Sequence, residues 1–406
     1  MKKLLTIALV CVLLIASTTF FVSTGNESNP ENITQPDCYV GVSFCGNTTT
    51  EAKLLIDKVK NYTNLFVLQS GPVSENQTAT TEICDYAVDA GLDLIVFFGD
   101  LDPHILEMKR DLLDKDFVWR ISWIEAAKAR YGDNILGIYY YDEPGGKWLD
   151  YQGWSTFIEM AFNVTEYRDA IVNATYDDVA DAYARANEAD QGYQIIKNNS
   201  LGLFSSDYVL YWFDYMMKYD VILAQIGWNH TLSQDIALIR GAATFHNKSW
   251  GTIITWKYDG PPYLDTPENI YDQMVTSYTS GAKYVVLFNY PTYPKTNHYG
   301  AMTDEHFKAL EDFWINAVTN PEVVKGSTTA EAVLVLPQNY GWGMRNCDDK
   351  IWGFWEPDEK SEQIWSNLCM LLEQYGTNLD IIYEDPNYPP VENYAQIYYW
   401  NQTINP

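Results

Sequence analysis

Short β-rich apolar runs alternating with amphipathic helical stretches constrain this chain most. The strand-like runs fall at 39–45, 65–69, 92–98, 135–141, 208–212, 221–226, 251–256 and 284–289. Helical periodicity occupies 50–60, 80–90, 117–131, 233–245, 267–280 and 304–318, between most of them. Strands that alternate with helices build a parallel sheet, because a parallel connection needs a crossover that a helix supplies. Eight such units within 38–320 have the size of a (β/α)8 TIM barrel, typically about 250 residues. The fold class expected is therefore α/β, with a largely helical insertion at 147–204 after strand four, on the mouth of the barrel. A second pattern over 330–406 has strands at 332–336, 379–383 and 395–399 and a helix around 363–375. It predicts a small Rossmann-like β-α-β domain with too little helix to cover both sheet faces, which must dock on the barrel.

The N-terminus argues for export. Met1-Lys2-Lys3 precedes an apolar run from Leu4 to Val22, a basic n-region with a long h-region. The run is about the roughly 20 residues that cross a bilayer, so 1–24 reads either as a cleaved signal peptide or as a retained membrane anchor. Both place the rest outside the cell, at the cell surface or free of it. Residues 25–37, rich in Asn, Ser, Pro and Glu, read as a glycosylated linker. Asn-x-Ser/Thr triplets, the acceptor for N-glycosylation, begin at Asn26, Asn32, Asn47, Asn61, Asn76, Asn163, Asn173, Asn198, Asn229, Asn247 and Asn401. Chance supplies only about three in a chain of this composition. A net charge of −28 repels polyanions, which excludes nucleic acid as a partner.

Beyond Cys11 the cysteines are Cys38, Cys45, Cys84, Cys347 and Cys369. Cys347 with Cys369, and Cys45 with Cys84, are the pairs open to bridging. Without a C-x-x-C spacing there is no zinc signature, and no metal or cofactor is expected.

The chemistry concentrates in Gly137-Ile138-Tyr139-Tyr140-Tyr141-Asp142-Glu143-Pro144. A carboxylate pair ends the fourth strand, on the face where barrels place catalytic groups. Pro144 biases Glu143 toward an extended backbone. The segment resembles the strand-four end of (β/α)8 glycoside hydrolases, over roughly 38–320. That resemblance implies Glu143 as the general acid for a glycosidic oxygen and Asp142 as its neighbour or a substrate-binding group. It also implies a glutamate at the end of strand seven, where this chain reads Thr252-Ile253-Ile254-Thr255-Trp256-Lys257-Tyr258-Asp259. Asp259 is the nearest substitute. Asp100 and Asp102 after strand three are further candidates, and with His104 they also suggest a metal-dependent hydrolase that no second histidine cluster supports.

Aromatic residues crowd the predicted strand ends, Trp228, Trp256, Tyr258 and Tyr290 among them, as do Trp148, Tyr151, Trp154, Tyr263 and Tyr293. Large apolar faces with a polar handle suit the C–H faces of sugars. Lys257 is placed to pair with Glu143 or Asp259, and Arg240 falls in a helix and reads as structural. The segment Pro337-Gln338-Asn339-Tyr340-Gly341-Trp342-Gly343-Met344-Arg345 resembles a strand-end loop of the amidotransferase-like domains that accompany some β-galactosidase barrels, without their nucleophilic cysteine and histidine. Trp342, Arg345, Trp352 and Trp355 then cover either the barrel mouth or the domain seam. The expectation is an extracytoplasmic glycoside hydrolase-like protein that cleaves O-glycosidic bonds. The alternative is a non-catalytic surface glycoprotein that binds glycan or an envelope protein with the same barrel.

Overall fold

The computed structural model describes residues 38–151, 173–188, 190–228, 230–291, 297–321, 324, 326–388 and 394–404. The leader, the linker and the sequons at Asn26, Asn32, Asn163 and Asn229, with Trp154 and Tyr293, lie outside them. Eight parallel strands close into a barrel in sequence order: β1 Tyr39–Phe44, β2 Leu65–Leu68, β3 Asp93–Gly99, β4 Ile135–Tyr140, β5 Gly202–Asp207, β6 Val221–Ile226, β7 Ser249–Ile254 and β8 Tyr284–Leu287, with β8 pairing back on β1. The main helices are α1 Thr49–Val59, α2 Gln77–Asp89, α3 Pro103–Leu113, α4 Trp119–Tyr131, α5 Pro144–Asp150, α6 Tyr176–Ala184, α7 Gln191–Asn198, α8 Tyr211–Met216, α9 Leu232–His246, α10 Pro267–Thr279, α11 Asp304–Phe313 and α12 Glu359–Tyr375.

Alternation along the strands divides their side chains between two cores. Inward residues such as Leu65, Val67, Ile95, Tyr139, Phe204, Leu223, Ile253 and Val286 fill the barrel. Outward neighbours such as Val40, Val42, Phe66, Ile138 and Ile222 meet the helices. Several helices start on side chains that satisfy their first N–H groups: Thr48 for α1, Asn76 for α2, Asp102 for α3, Asp190 for α7 and Thr266 for α10.

The fifth strand departs from the sequence reading. It is Gly202–Asp207, and the apolar 208–212 run that was expected there turns away and enters α8. Leu210 takes a left-handed φ of 54°, which ends any strand. The true strand carries Ser205, Ser206 and Asp207, all buried, so it lacks the apolar signature of its neighbours. The insertion accordingly ends before residue 202 rather than at 204. Its α7 closes the crossover from β4 to β5.

Three parallel strands in the order β10-β9-β11 form the C-terminal layer: β9 Ala332–Leu336, β10 Leu379–Tyr383 and β11 Gln396–Tyr399. Helix α12 lies against it, and β10 packs on α9 of the barrel. A Cβ on Gly241 of α9 would stand 2.4 Å from the Ile381 carbonyl oxygen, so only glycine permits this approach. Beside it Arg240 Nε donates to Asp380 Oδ1 at 2.8 Å, and both side chains are almost fully enclosed. Arg240 Nη2 donates to the carbonyls of Thr377 and Leu379, and the Tyr394 hydroxyl to Asp380 Oδ2. Arg240 is thus a structural clamp between barrel and layer.

The aromatic cluster after β9 belongs to this seam. Trp352 packs on Phe213 of α8 and Tyr183 of α6, Trp355 packs on Tyr176, and Trp342 is buried against Trp365. The five described cysteines remain thiols: Cys38, Cys45 and Cys84 are buried, Cys347 and Cys369 exposed. Among the described residues no helix is long and apolar enough to cross a membrane.

Candidate active site

A cleft of about 210 Å³ opens at the C-terminal end of the barrel. Its wall is assembled from six strand ends: Gln69 after β2, Asp142 and Glu143 after β4, Ser206 of β5, Gln225 of β6 with Trp228 beyond it, Ile253, Thr255 and Trp256 at β7, and Phe288 and Tyr290 after β8.

Glu143 adopts a left-handed backbone, φ 54° and ψ 54°, rather than the extended one that the following proline favours. Three anchors impose this. The Glu143 N–H donates to the Ser206 carbonyl at 3.0 Å, and its own carbonyl accepts from Lys147 N at 2.9 Å, starting α5. Buried Asp207 then takes the N–H groups of Gly145 and Gly146 at 2.5 and 2.9 Å, together with those of Tyr208 and Val209. The turn has no room for side chains, since a Cβ on Gly146 would lie 2.1 Å from the Tyr208 ring. Tyr141 is also left-handed, φ 55°. Two such non-glycine residues cost on the order of 1–3 kcal/mol each, and strain of this kind collects at functional sites. Although Glu143 occupies the N-cap position of α5, its side chain makes no capping bond. Asp207 performs that role and leaves the Glu143 carboxyl to the cleft.

The Glu143 carboxyl accepts from Gln225 Nε2 at 2.8 Å, and the same amide donates to Ser206 Oγ at 3.0 Å. Tyr139, wholly inside the barrel, donates to Asp142 Oδ1 at 2.5 Å and meets Ser206 Oγ at 2.6 Å. The Lys147 ammonium lies 3.6 Å from Asp142 Oδ2. Burial, then the neighbouring Asp142 charge, raises the Glu143 carboxyl above its ordinary range, opposed by the Gln225 bond and Lys147. A carboxyl so raised holds its proton closer to neutrality, as a general acid requires. Burial also pushes Asp207 up to about 8, against its backbone donors.

The opposite wall is aromatic. Trp256 meets Tyr290 edge-on at 5.5 Å and Tyr263 at 4.6 Å. Trp228 and Tyr290 are exposed. Trp256 Nε1 and Gln69 Oε1 are enclosed without a hydrogen-bond partner in the structure.

Other residues singled out by sequence stand apart from this cleft. Asp259 is exposed in the turn after β7, and at the end of β7 itself the cleft meets Thr255. Lys257 pairs with Asp265 at 2.7 Å rather than with Glu143 or Asp259. Tyr258 is exposed beside Lys257. Asp100 pairs with Lys109, and Asp102 caps α3 through the N–H groups of His104 and Ile105. Among the described residues there is no group of three or more His, Cys, Asp or Glu side chains that could hold a metal ion. Arg345, from the loop after β9, bridges Asp349 and Asp150 at 2.7 and 2.9 Å.

The chain is similar in structure to a GH5_18 protein of Streptomyces cattleya solved in complex with GlcNAc, with TM-score 0.54 and 11% identity over 90% of this chain and 99% of that one. The likeness is one of fold. Further matches include a beta-mannanase from the blue mussel Mytilus edulis, TM-score 0.42, 7% identity, 72% and 94% covered. A GH10 xylanase of Thermobacillus composti has TM-score 0.36, 13% identity, 68% and 96% covered. No protein-family model matches the chain, and no curated protein matches it.

Sequence reasoning missed Tyr139, Ser206, Asp207 and Gln225. One signal was available for Gln225, the single polar residue in Val-Ile-Leu-Ala-Gln-Ile. A buried amide in an apolar strand needs partners to offset its desolvation.

Proposed function

We propose that this protein acts on carbohydrate outside the cell as a glycoside hydrolase, with Glu143 donating the proton to the glycosidic oxygen. The observation that carries this reading is the state of Glu143. Its carboxyl is buried at the end of β4, raised, held by Gln225 and left free of the helix cap by Asp207. It faces an aromatic wall of Trp228, Trp256 and Tyr290 across a cleft that suits the apolar face of a sugar ring. At 210 Å³ the cleft is smaller than the roughly 300–1,000 Å³ of common ligand pockets. One ring fits inside, and further units extend over the exposed Trp228 and Tyr290. The fold it shares with the GH5_18 protein is compatible with this chemistry, although fold alone does not assign function.

Export and N-glycosylation belong to the same proposal, with the leader either cleaved or kept as a membrane anchor. In support, the described sequon residues Asn47, Asn61, Asn76, Asn173, Asn198, Asn247 and Asn401 are all exposed. Thr255 in place of a carboxylate favours a second reading, a glycan-binding protein without turnover. The test is a panel of oligosaccharides and polysaccharides offered to the purified protein and to Glu143→Gln. Hydrolysis by the first and not the second supports the assignment. Binding without hydrolysis by both supports the second reading.

A further inference from the structure

We propose that the sugar in the cleft carries a 2-acetamido group whose own carbonyl oxygen is the nucleophile, with Asp142 holding the acetamido N–H and Glu143 protonating the leaving oxygen. This rests on the carbohydrate reading above and names the substrate class for that site.

Displacement at an anomeric carbon by a glycosidase ordinarily uses two carboxyl groups on opposite faces of the sugar, about 5 Å apart for retention and 6.5–9.5 Å for inversion. Here the carboxylates lining the cleft, among the described residues, are Asp142 and Glu143. They are consecutive residues on one rim. The facing rim, at β7 and β8, offers Thr255, Trp256, Phe288 and Tyr290, none of which is an acid. Among the described residues, neither the covalent carboxylate route nor the route through a carboxylate-activated water has its second group across the ring. A nucleophile carried by the substrate removes that requirement.

Asp142 is built to orient such a group. Tyr139 fixes Oδ1 at 2.5 Å, and Lys147 flanks Oδ2 at 3.6 Å. The side chain still keeps about a third of its surface, 34%, open, so an amide N–H can reach it. The wall also contains an enclosed donor and an enclosed acceptor without partners, Trp256 Nε1 and Gln69 Oε1. Leaving such groups unpaired costs about 1–3 kcal/mol each, and the hydroxyls of a bound sugar can supply both a donor and an acceptor.

The bonds balance without a co-reactant other than water. The acetamido oxygen bonds to the anomeric carbon as the bond to the leaving oxygen breaks, and that oxygen takes the Glu143 proton. The positive charge of the resulting bicyclic oxazolinium is stabilised by ionised Asp142, which accepts the N–H hydrogen bond. Water then adds to the anomeric carbon and gives a proton to Glu143 while the electron pair returns to restore the amide. The configuration at the anomeric carbon is retained.

The experiment pairs aryl 2-acetamido-2-deoxy glycosides, in both anomeric forms and as gluco and galacto epimers, with their 2-hydroxy parents, using the purified full chain. Expected is turnover of the 2-acetamido set at least 100-fold faster. Successive fluorination of the acetyl methyl should lower the rate of the wild-type protein, because it weakens the carbonyl oxygen as a nucleophile, and this needs no variant to fold. Asp142→Asn should lose about 10²–10³-fold in kcat with little change in KM, the range for removing a charge-stabilising group. The 1,2-fused thiazoline of N-acetylglucosamine should bind, measured by calorimetry. Equal or faster turnover of 2-hydroxy glycosides, or rates indifferent to fluorination, overturns this inference and leaves the hydrolase reading standing. No turnover of either set and no thiazoline binding overturns both.

Discussion

Asp207 offers the sharpest handle on how the barrel presents Glu143. The carboxyl is fully enclosed and rises from an ordinary 3.8 to about 8 through burial. Because the folded value is raised, the native state binds the proton more tightly than the unfolded chain does. The associated stability is complete below about pH 4 and is lost as pH climbs toward 8. At 1.36 kcal/mol for each pH unit of that displacement, the whole span is worth ~6 kcal/mol, of which roughly 4 kcal/mol falls between pH 5 and 9. Asp214 shares the buried charge, since Asp207 adds to the effect of burial in raising it, so the figure is a ceiling. Asp207→Asn removes the titration. It also turns an amide NH2 toward the Gly145 N–H that Oδ2 now accepts, at a cost of about 1–3 kcal/mol for the unmade bond. Urea unfolding followed by tryptophan fluorescence should therefore find the variant less stable than wild type at pH 5. At pH 9 the difference should shrink or reverse. A wild-type-minus-variant difference that stays within about 1 kcal/mol across both conditions would refute the assignment of a proton to Asp207.

Three other outcomes follow from the same reasoning. Arg240→Ala, which leaves Asp380 buried without its cation between α9 and β10, should cost about 3–5 kcal/mol. The double change Arg240→Met with Asp380→Leu should cost less than either single change, and additive costs would contradict the clamp. Trp256→Ala removes the ring that lines the cleft against Tyr290 and should weaken sugar binding about tenfold, or ~1.4 kcal/mol, measured below a melting temperature itself lowered by the lost packing on Tyr263. Peptide mass spectrometry of protein from its native host should find glycan on several of the seven exposed sequons, and bare asparagine at all of them would count against export.

The fold was legible where one periodicity dominated. Residues 332–336 form an uninterrupted apolar run and 221–226 one broken only by Gln225, and a strand occupies each. β5 was not legible, because Ser205, Ser206 and Asp207 serve the site rather than the core. Their hydrogen bonds run to Tyr141, Tyr139 and the glycine turn, and spacing along one strand cannot reveal partners on another. Glu143 could be placed at a strand end from Asp-Glu-Pro, but its left-handed backbone could not, because tertiary anchors override the preference set by Pro144. Asp259 and Lys257 were read as neighbours of the site because they follow β7. The turn that carries them instead directs Lys257 to Asp265 and leaves Asp259 in solvent.

The central claim is that Glu143 gives its proton to the leaving oxygen. It is tested most directly by the dependence of rate on leaving-group acidity in wild type and Glu143→Gln. If the claim holds, the variant loses about 10²–10⁴-fold on glycosides with poor, basic leaving groups. It should keep near-wild-type rates on dinitrophenyl glycosides, which need no proton. An equal loss for good and poor leaving groups, or no loss for either, would contradict it.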